Sequence, residues 1–276
     1  MIWTTSPRSQ SLKSVHRFLE SHQLLTLLLL GAFLWSLTGV HWDGPLVHTG
    51  GGRSALKFFL ALFPPELSPD FLAIALKASW QTVVYAVAGM TLAVIIGLPL
   101  GIVASGTVLA RSSLMRTPLI AGTRLFLGAL RSVHELVWAV LLVAAIGLSP
   151  MAGIIALAIP YGGILGRIYA ELLQDVPPEP IRALRASGAS PLRTLLYGYI
   201  PMALPDMLSY TFYRFECAIR AAAILSFVGI QGLGYQIQLS LHDLLFSQVW
   251  TLLLFLVALI VAVDLWSSRV RRSLVA

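Results

Sequence analysis

Two groups of ionisable residues interrupt otherwise apolar stretches: Arg131, His134 and Glu135 in one, Arg214, Glu216 and Arg220 in the other. A charge at the centre of a bilayer costs about 2.5–3.5 kcal/mol on insertion scales, so such residues face protein or water and need partners. Arg131 with Glu135, and Glu216 with Arg220, are spaced i,i+4, which on one continuous helix puts each pair on a single face and lets it self-neutralise. Arg214 lies about 200° around a helix from Glu216 and requires a different partner. The chemistry open to these groups is recognition. An arginine fork presents paired donors that match the oxygens of an oxyanion. Either the pairs staple helices together, or one or more arginines line a path where fixed positive charge offsets desolvation of an anion. A site of the second kind must bind weakly enough to let its anion go. His134 reads as a satisfied structural donor, with proton exchange as its alternative role.

Turnover chemistry is not signalled. No G-x-x-x-x-G-K-[ST] loop is present to cradle nucleotide phosphates, and no G-x-S-x-G elbow is present to expose a nucleophile. His134 and Glu135 begin a zinc-type H-E-x-x-H, but Trp138 stands where the second histidine belongs. The expectation is a chain with no catalytic residues and no metal site.

The elements that position these charges follow from composition. Of 276 residues 57% are hydrophobic and 11% charged, and the mean hydropathy is +0.83, whereas soluble domains carry about 25% charged residues. A polytopic all-α membrane protein is implied. Disorder, a soluble enzyme and a disulfide scaffold are excluded, the last because Cys217 is the single cysteine. The net charge of +7 sits in short clusters between apolar runs, as membrane topology predicts and nucleic-acid binding does not. With about 20 apolar residues needed per crossing, about six spans are predicted: Leu24 to Val40, Trp80 (or from near Phe71) to Ser105, Leu125 to Leu148, Met151 to Tyr169, Met202 to Ile230 and Val249 to Trp266. Pro160, Gly162 and Gly163 are expected to interrupt the fourth, and Gly229, Gly232 and Gly234 to punctuate the outer end of the fifth, as close-packing or bending points. The segment His41 to Asp70, with Gly50, Gly51, Gly52, Pro64 and Pro65, is expected to be a loop carrying a short interfacial helix around Ala55 to Phe63.

Thirteen of the 19 Lys and Arg residues fall on one side of this layout. They are Arg8, Lys13 and Arg17, then Arg111, Arg116 and Arg124, then Arg167, Arg182, Arg185 and Arg193, and finally Arg269, Arg271 and Arg272. The positive-inside rule makes that side cytoplasmic and puts both termini there. The organisation expected is a cytoplasmic tail, 1–23, and one transmembrane domain, 24–276, with a core over about 71–268 and a cytoplasmic connection over about 175–201. In that connection Pro177, Pro178 and Pro180 open a short helix, Ile181 to Ser187, which Gly188 stops. Pro191 opens a second, Leu192 to Tyr199, which leads into Pro201 at the entrance to the fifth span. Leu184, Leu192, Leu195 and Leu196 give this knob an apolar side. It reads either as an amphipathic connector on the lipid surface or as a lever for a cytoplasmic partner.

The spacing of Ala183, Gly188, Ile200 and Pro201 resembles the EAA coupling loop of permease subunits of bacterial ATP-binding-cassette importers, roughly E-A-A-x-x-x-G-x9-I-x-L-P. Arg182 stands at the glutamate, Leu184 at the second alanine, and Gly198 and Ile200 at the isoleucine and leucine. The segments RSVHELVWAVLLVAAIGLSPMAGIIAL from Arg131, SYTFYRFECAIRAAAILSFVG from Ser209 and FFLALFPPE from Phe58 together resemble the branch that imports phosphonates, phosphite or hypophosphite. This resemblance covers most of Phe58 to Arg272. It implies a type I importer permease fold in the bacterial inner membrane, with Arg182, Ala183, Leu184, Gly188, Ala189 and Pro201 contacting an ATPase. It further implies a second permease subunit, identical or paralogous, two copies of a cytoplasmic ATPase carrying ATP and magnesium, a periplasmic solute-binding protein and surrounding lipid, with no cofactor on this chain. A permease for another solute such as an amino acid would keep the loop and change the intramembrane charges. A secondary transporter or channel would need no ATPase, a scaffold would show no substrate-dependent activity, and a membrane enzyme would turn over a reagent without moving it.

Overall fold

The computed structural model describes residues 8–39, 51–108 and 115–275, and the side chains of residues 8–22, 274 and 275 are not described. Arg111, Gly50 and the first part of the His41 to Asp70 segment lie outside the described residues, as do the side chains of Arg8, Lys13 and Arg17. Every regular element among the described residues is helical: α1 Arg8–Thr38, α2 Gly51–Leu60, α3 Pro69–Ser105, α4 Arg116–Ser132, α5 Glu135–Ile146, α6 Pro150–Gln174, α7 Pro178–Ala186, α8 Pro191–Thr194, a π-helical turn Leu195–Tyr199, α9 Ile200–Leu225, a 3-10 turn Ser226–Val228, α10 Leu233–His242 and α11 Phe246–Val275. Residues 1–57 and 58–276 form separate units. In the first, α1 contains the apolar stretch Gln23–Thr38, in which the leucines from Leu24 to Leu34 are exposed.

In the second unit α3, α6 and α11 are each long and apolar enough to cross a membrane. Two bent pairs reach that length jointly: α4 with α5, at 83°, and the run from Pro191 to Val228 with α10, at 43°. The predicted third span is therefore broken. Val133 is extended, and His134 starts α5 afresh as its N-cap, Nδ1 accepting from the Leu136 amide at 3.2 Å. Neither proline nor glycine marks this break. Its only sequence signals are a polar capping residue and Glu135 in the first turn, where the helix dipole favours negative charge.

The predicted interruption of the fourth span does not occur. Pro160 lies buried inside a continuous α6, and Gly162 and Gly163 serve packing. In Gly97-Leu-Pro-Leu-Gly101 and Gly162-Gly-Ile-Leu-Gly166, glycines recur every fourth residue on facing helices. A Cβ on Gly97 would lie 2.9 Å from the Gly162 carbonyl oxygen, and one on Gly101 2.8 Å from that of Gly166. Lipid offers no hydrophobic drive to helix pairing, so close backbone approach supplies the association by van der Waals contact. Gly163 does the same for α4: a Cβ there would lie 2.9 Å from the Leu127 carbonyl oxygen and 3.1 Å from the Arg131 amide nitrogen.

At the end of α9 the chain turns at Gly229, φ +101°, and folds back so that the Leu233 amide donates to Thr82 Oγ1 at 3.1 Å. A Cβ on Gly234 would run into the carbonyl oxygen of Ala223, and one on Gly232 into the Ser226 hydroxyl. Gly234→Ala is therefore expected to destabilise the fold by about 2–3 kcal/mol, as overpacking against backbone does. Denaturant unfolding in micelles measures this, and a stability equal to wild type would mean α10 moves away without cost.

Candidate functional site

Arg131 in the last turn of α4 and Arg214 in α9 come together across α6. They line an open cleft of about 460 Å3 with Gly128, Ser132, Ile164, Ile168 and Tyr210. Gly163 makes this possible by letting α6 lie against the last turn of α4. The partner that Arg214 requires is its own i−4 neighbour: Nε and Nη2 donate to Tyr210 Oη at 2.9 and 2.7 Å. The guanidinium also lies over the Tyr210 and Tyr213 rings, 5.2 and 5.6 Å from their centroids. Because Tyr210 Oη accepts both bonds, its own O–H remains to donate elsewhere. Two guanidiniums and a phenol then offer donors to one space, and no carboxylate lines it. Fixed donors facing a cleft that no carboxylate lines suit a transient oxyanion.

The two i,i+4 pairs expected from the sequence do not form. The break at Val133 puts Arg131 and Glu135 on different helices, and Glu135 instead lies 3.7 Å from His134 Nε2. Buried Glu216 pairs with Arg271 of α11 at 2.9 Å. Arg220 is exposed and directs Nη2 to Cys217 Sγ at 3.5 Å. Glu135, Arg214 and Arg220 all stand within coulombic range of the buried Tyr161 hydroxyl, so the three share one neighbourhood. Glu216 belongs to the α9–α11 seam, and His134 is a helix cap. Tyr210 was missed by sequence reasoning, although its i,i+4 spacing to Arg214 was visible. Arg271 was missed because it was counted with the tail.

At the α6–α9 connection, α7 stops at Gly188, whose φ is +81°. The Ala189 amide closes the turn on the Leu184 carbonyl at 3.1 Å. Ser190 caps α8, Oγ accepting from the Arg193 amide. The second short helix runs into the fifth span: α8 passes through the π-turn into α9, with Pro201 in the first turn of α9. Gly198 seats α7, since a Cβ there would lie 2.7 Å from Ile181 Cδ1 and 2.9 Å from Leu184 Cδ1. Arg182, Ala183, Gly188 and Pro201 are exposed, Leu184 and Ala189 half-buried. Leu192, Leu196 and Tyr197 are exposed, while Leu195 is buried.

Residues 97–275 match the family of binding-protein-dependent transport system inner membrane components. The phosphite transport system permease protein PtxC of Stutzerimonas stutzeri is 32% identical over 225 residues, 79% of this chain and 78% of that protein. The phosphate-import permease protein PhnE of Mycolicibacterium smegmatis is 30% identical over 222 residues, 80% of this chain and 40% of that protein. An inward-facing structure of the MetNI methionine ABC transporter superposes with a TM-score of 0.66 at 21% identity, covering 75% of this chain and 99% of that one, which establishes a shared fold. The knob, the helical bundle and the absence of a nucleotide loop agree with that assignment: the chain belongs to the binding-protein-dependent transport system inner membrane components, as a permease subunit of an ABC importer.

Proposed function

We propose that this chain forms half of the translocation path of an ATP-driven importer for phosphonates or the related reduced oxyanions phosphite and hypophosphite. The observation that carries this reading is the cleft in which Arg131, Arg214 and the Tyr210 hydroxyl converge with no carboxylate among its lining residues. The names of the phosphite and phosphate relatives support the same substrate class. Residues 24–276 act as one permease domain, with both termini and the 175–201 connection cytoplasmic, as the distribution of Lys and Arg supports. Arg182, Ala183, Leu184, Gly188, Ala189 and Pro201, with the exposed Leu192, Leu196 and Tyr197, meet a cytoplasmic ATPase that binds ATP and magnesium. Two ATPase copies and a second permease, identical or paralogous, complete the assembly. A periplasmic binding protein delivers substrate to the outer face, near α10.

The test is ATP hydrolysis by the assembled complex in lipid, with its binding protein, against phosphonate, phosphite, hypophosphite, phosphate and an amino acid. Stimulation by a phosphorus oxyanion only with binding protein present is expected. Stimulation by the amino acid alone would leave the family intact and remove the substrate. Arg214→Gln is expected to lower oxyanion uptake at least about tenfold, the scale on which loss of a charged hydrogen-bonding donor is felt. Tyr210→Phe should lower it by less, since it frees Arg214 without removing it. Unchanged uptake in Arg214→Gln would take the cleft out of the path.

A further inference from the structure

Where α6 runs out towards α7, a second cavity of about 250 Å3 lies between α3, α4 and α6, lined chiefly by Ala104, Arg124, Leu127, Arg167, Glu171 and Gln174. Arg124 Nε donates to the Ala104 carbonyl at 3.1 Å, and Gln174 Nε2 to the Ser105 carbonyl at 2.9 Å. These two bonds satisfy carbonyls that the end of α3 leaves without an intrahelical partner. Arg167 Nε donates to Glu171 Oε1 at 2.8 Å. Each guanidinium is thus oriented through Nε, and the Nη hydrogens of both have no partner among the described residues. Two pre-oriented forks share one open-sided space with a single carboxylate, an excess of positive charge.

Arg124 and Arg131 are seven residues apart on α4. That spacing puts them on nearly the same helix face, about 10 Å apart along the axis. The cavity therefore follows the Arg131–Arg214 cleft along the α4–α6 seam, at the end nearest the α7 knob. We propose that it is an inner anion subsite taking a phosphate-class group, with Glu171 as the resident counter-ion that the anion displaces. The group comes either from the oxyanion leaving the cleft or from an anionic lipid headgroup. The oxyanion source rests on the function proposed above. Displacement of Glu171 keeps affinity low, as an exit step requires.

The test uses the assembled complex in nanodiscs of phosphatidylcholine with inorganic phosphate as the calorimetric probe. Replacing Arg124 and Arg167 by glutamine should weaken binding at least about tenfold. Glu171→Gln should strengthen it about two- to fivefold, by removing the competing ion pair. Glu171→Gln keeps both arginines, so it reads the site even where the double variant fails to fold. The same dependence should persist in the Arg214→Gln complex. In nanodiscs containing phosphatidylglycerol, loss of phosphate binding together with an Arg124- and Arg167-dependent lipid retained in native mass spectrometry supports the subsite with the headgroup as its occupant. Phosphate or lipid binding that ignores Arg124, Arg167 and Glu171 overturns the inner subsite, whether or not the cleft binds. Binding that follows these three residues in a complex whose ATPase no oxyanion stimulates overturns the proposed transport function and leaves the subsite standing.

Discussion

Replacing Glu216 by leucine is expected to destabilise the folded chain by about 1.5–3 kcal/mol, because it leaves the Arg271 guanidinium in the α9–α11 seam with Ser268 Oγ as its remaining side-chain partner. Glu216 is buried and Arg271 largely so, and their oxygen and nitrogen stand 2.9 Å apart. Removing one partner leaves the other charge partly desolvated without its counter-ion, whereas removing both replaces the pair by apolar contact. Adding Arg271→Met to Glu216→Leu should therefore restore most of the lost stability. Denaturant unfolding of the four proteins in micelles closes the double-mutant cycle. Strict additivity of the two single effects would show that the pair is not coupled. Arg220→Leu, removing the partner that i,i+4 spacing nominated, should change stability little, since Arg220 is exposed and far less constrained.

Gly198→Leu is expected to lower ATP-driven uptake at least about tenfold while the unfolding midpoint of the transmembrane bundle stays close to wild type, a loss of more than 1.4 kcal/mol in coupling. The isobutyl group fills the notch in which Ile181 and Leu184 seat α7 on the π-turn, so the knob no longer moves as one body with α9. Gly198→Ala should be tolerated better, because the atoms it meets are flexible side-chain ends. Gly188 behaves differently. A Cβ there meets open space, so its constraint is the positive φ of +81° and not bulk. Asparagine, which visits that region readily, should retain uptake at Gly188 where valine, at a cost of about 1–3 kcal/mol, should not. Uptake measured in proteoliposomes with the ATPase bound checks both positions. Full uptake in Gly198→Leu would show that α7 can transmit motion without its seat.

How much of this was legible in the sequence depends on the range of the force involved. Chain-local physics made the helical class, most spans and the turn between α7 and α8 readable. Apolar length dictates where helices form in lipid. Gly188 and the prolines around α7 announce their conformations one residue at a time, which is why the stop at Gly188 and the start at Pro191 appear where they were expected. The break between α4 and α5 was hidden because a histidine cap inside RSVHELVW carries no strong breaker. Pro160 misled in the opposite sense. Burial of α6 against α3 and α4 supplies enough packing to keep one helix across a missing hydrogen bond.

For the site, the sequence by itself identified which charges the membrane must shelter, the arginines among them, since the cost of a bare charge in lipid is a property of the residue. Their pairing was decided only by the tertiary structure. Glu216 takes Arg271, 55 positions away, over Arg220, four positions away. Arg131 lines one cleft with Arg214 because Gly163 lets α6 pack closely against the last turn of α4. Spacing along a helix states which residues are able to touch on that helix. Which contacts win depends on the approach of other helices, and here glycine seams set that approach by admitting backbones closer than any side chain would allow.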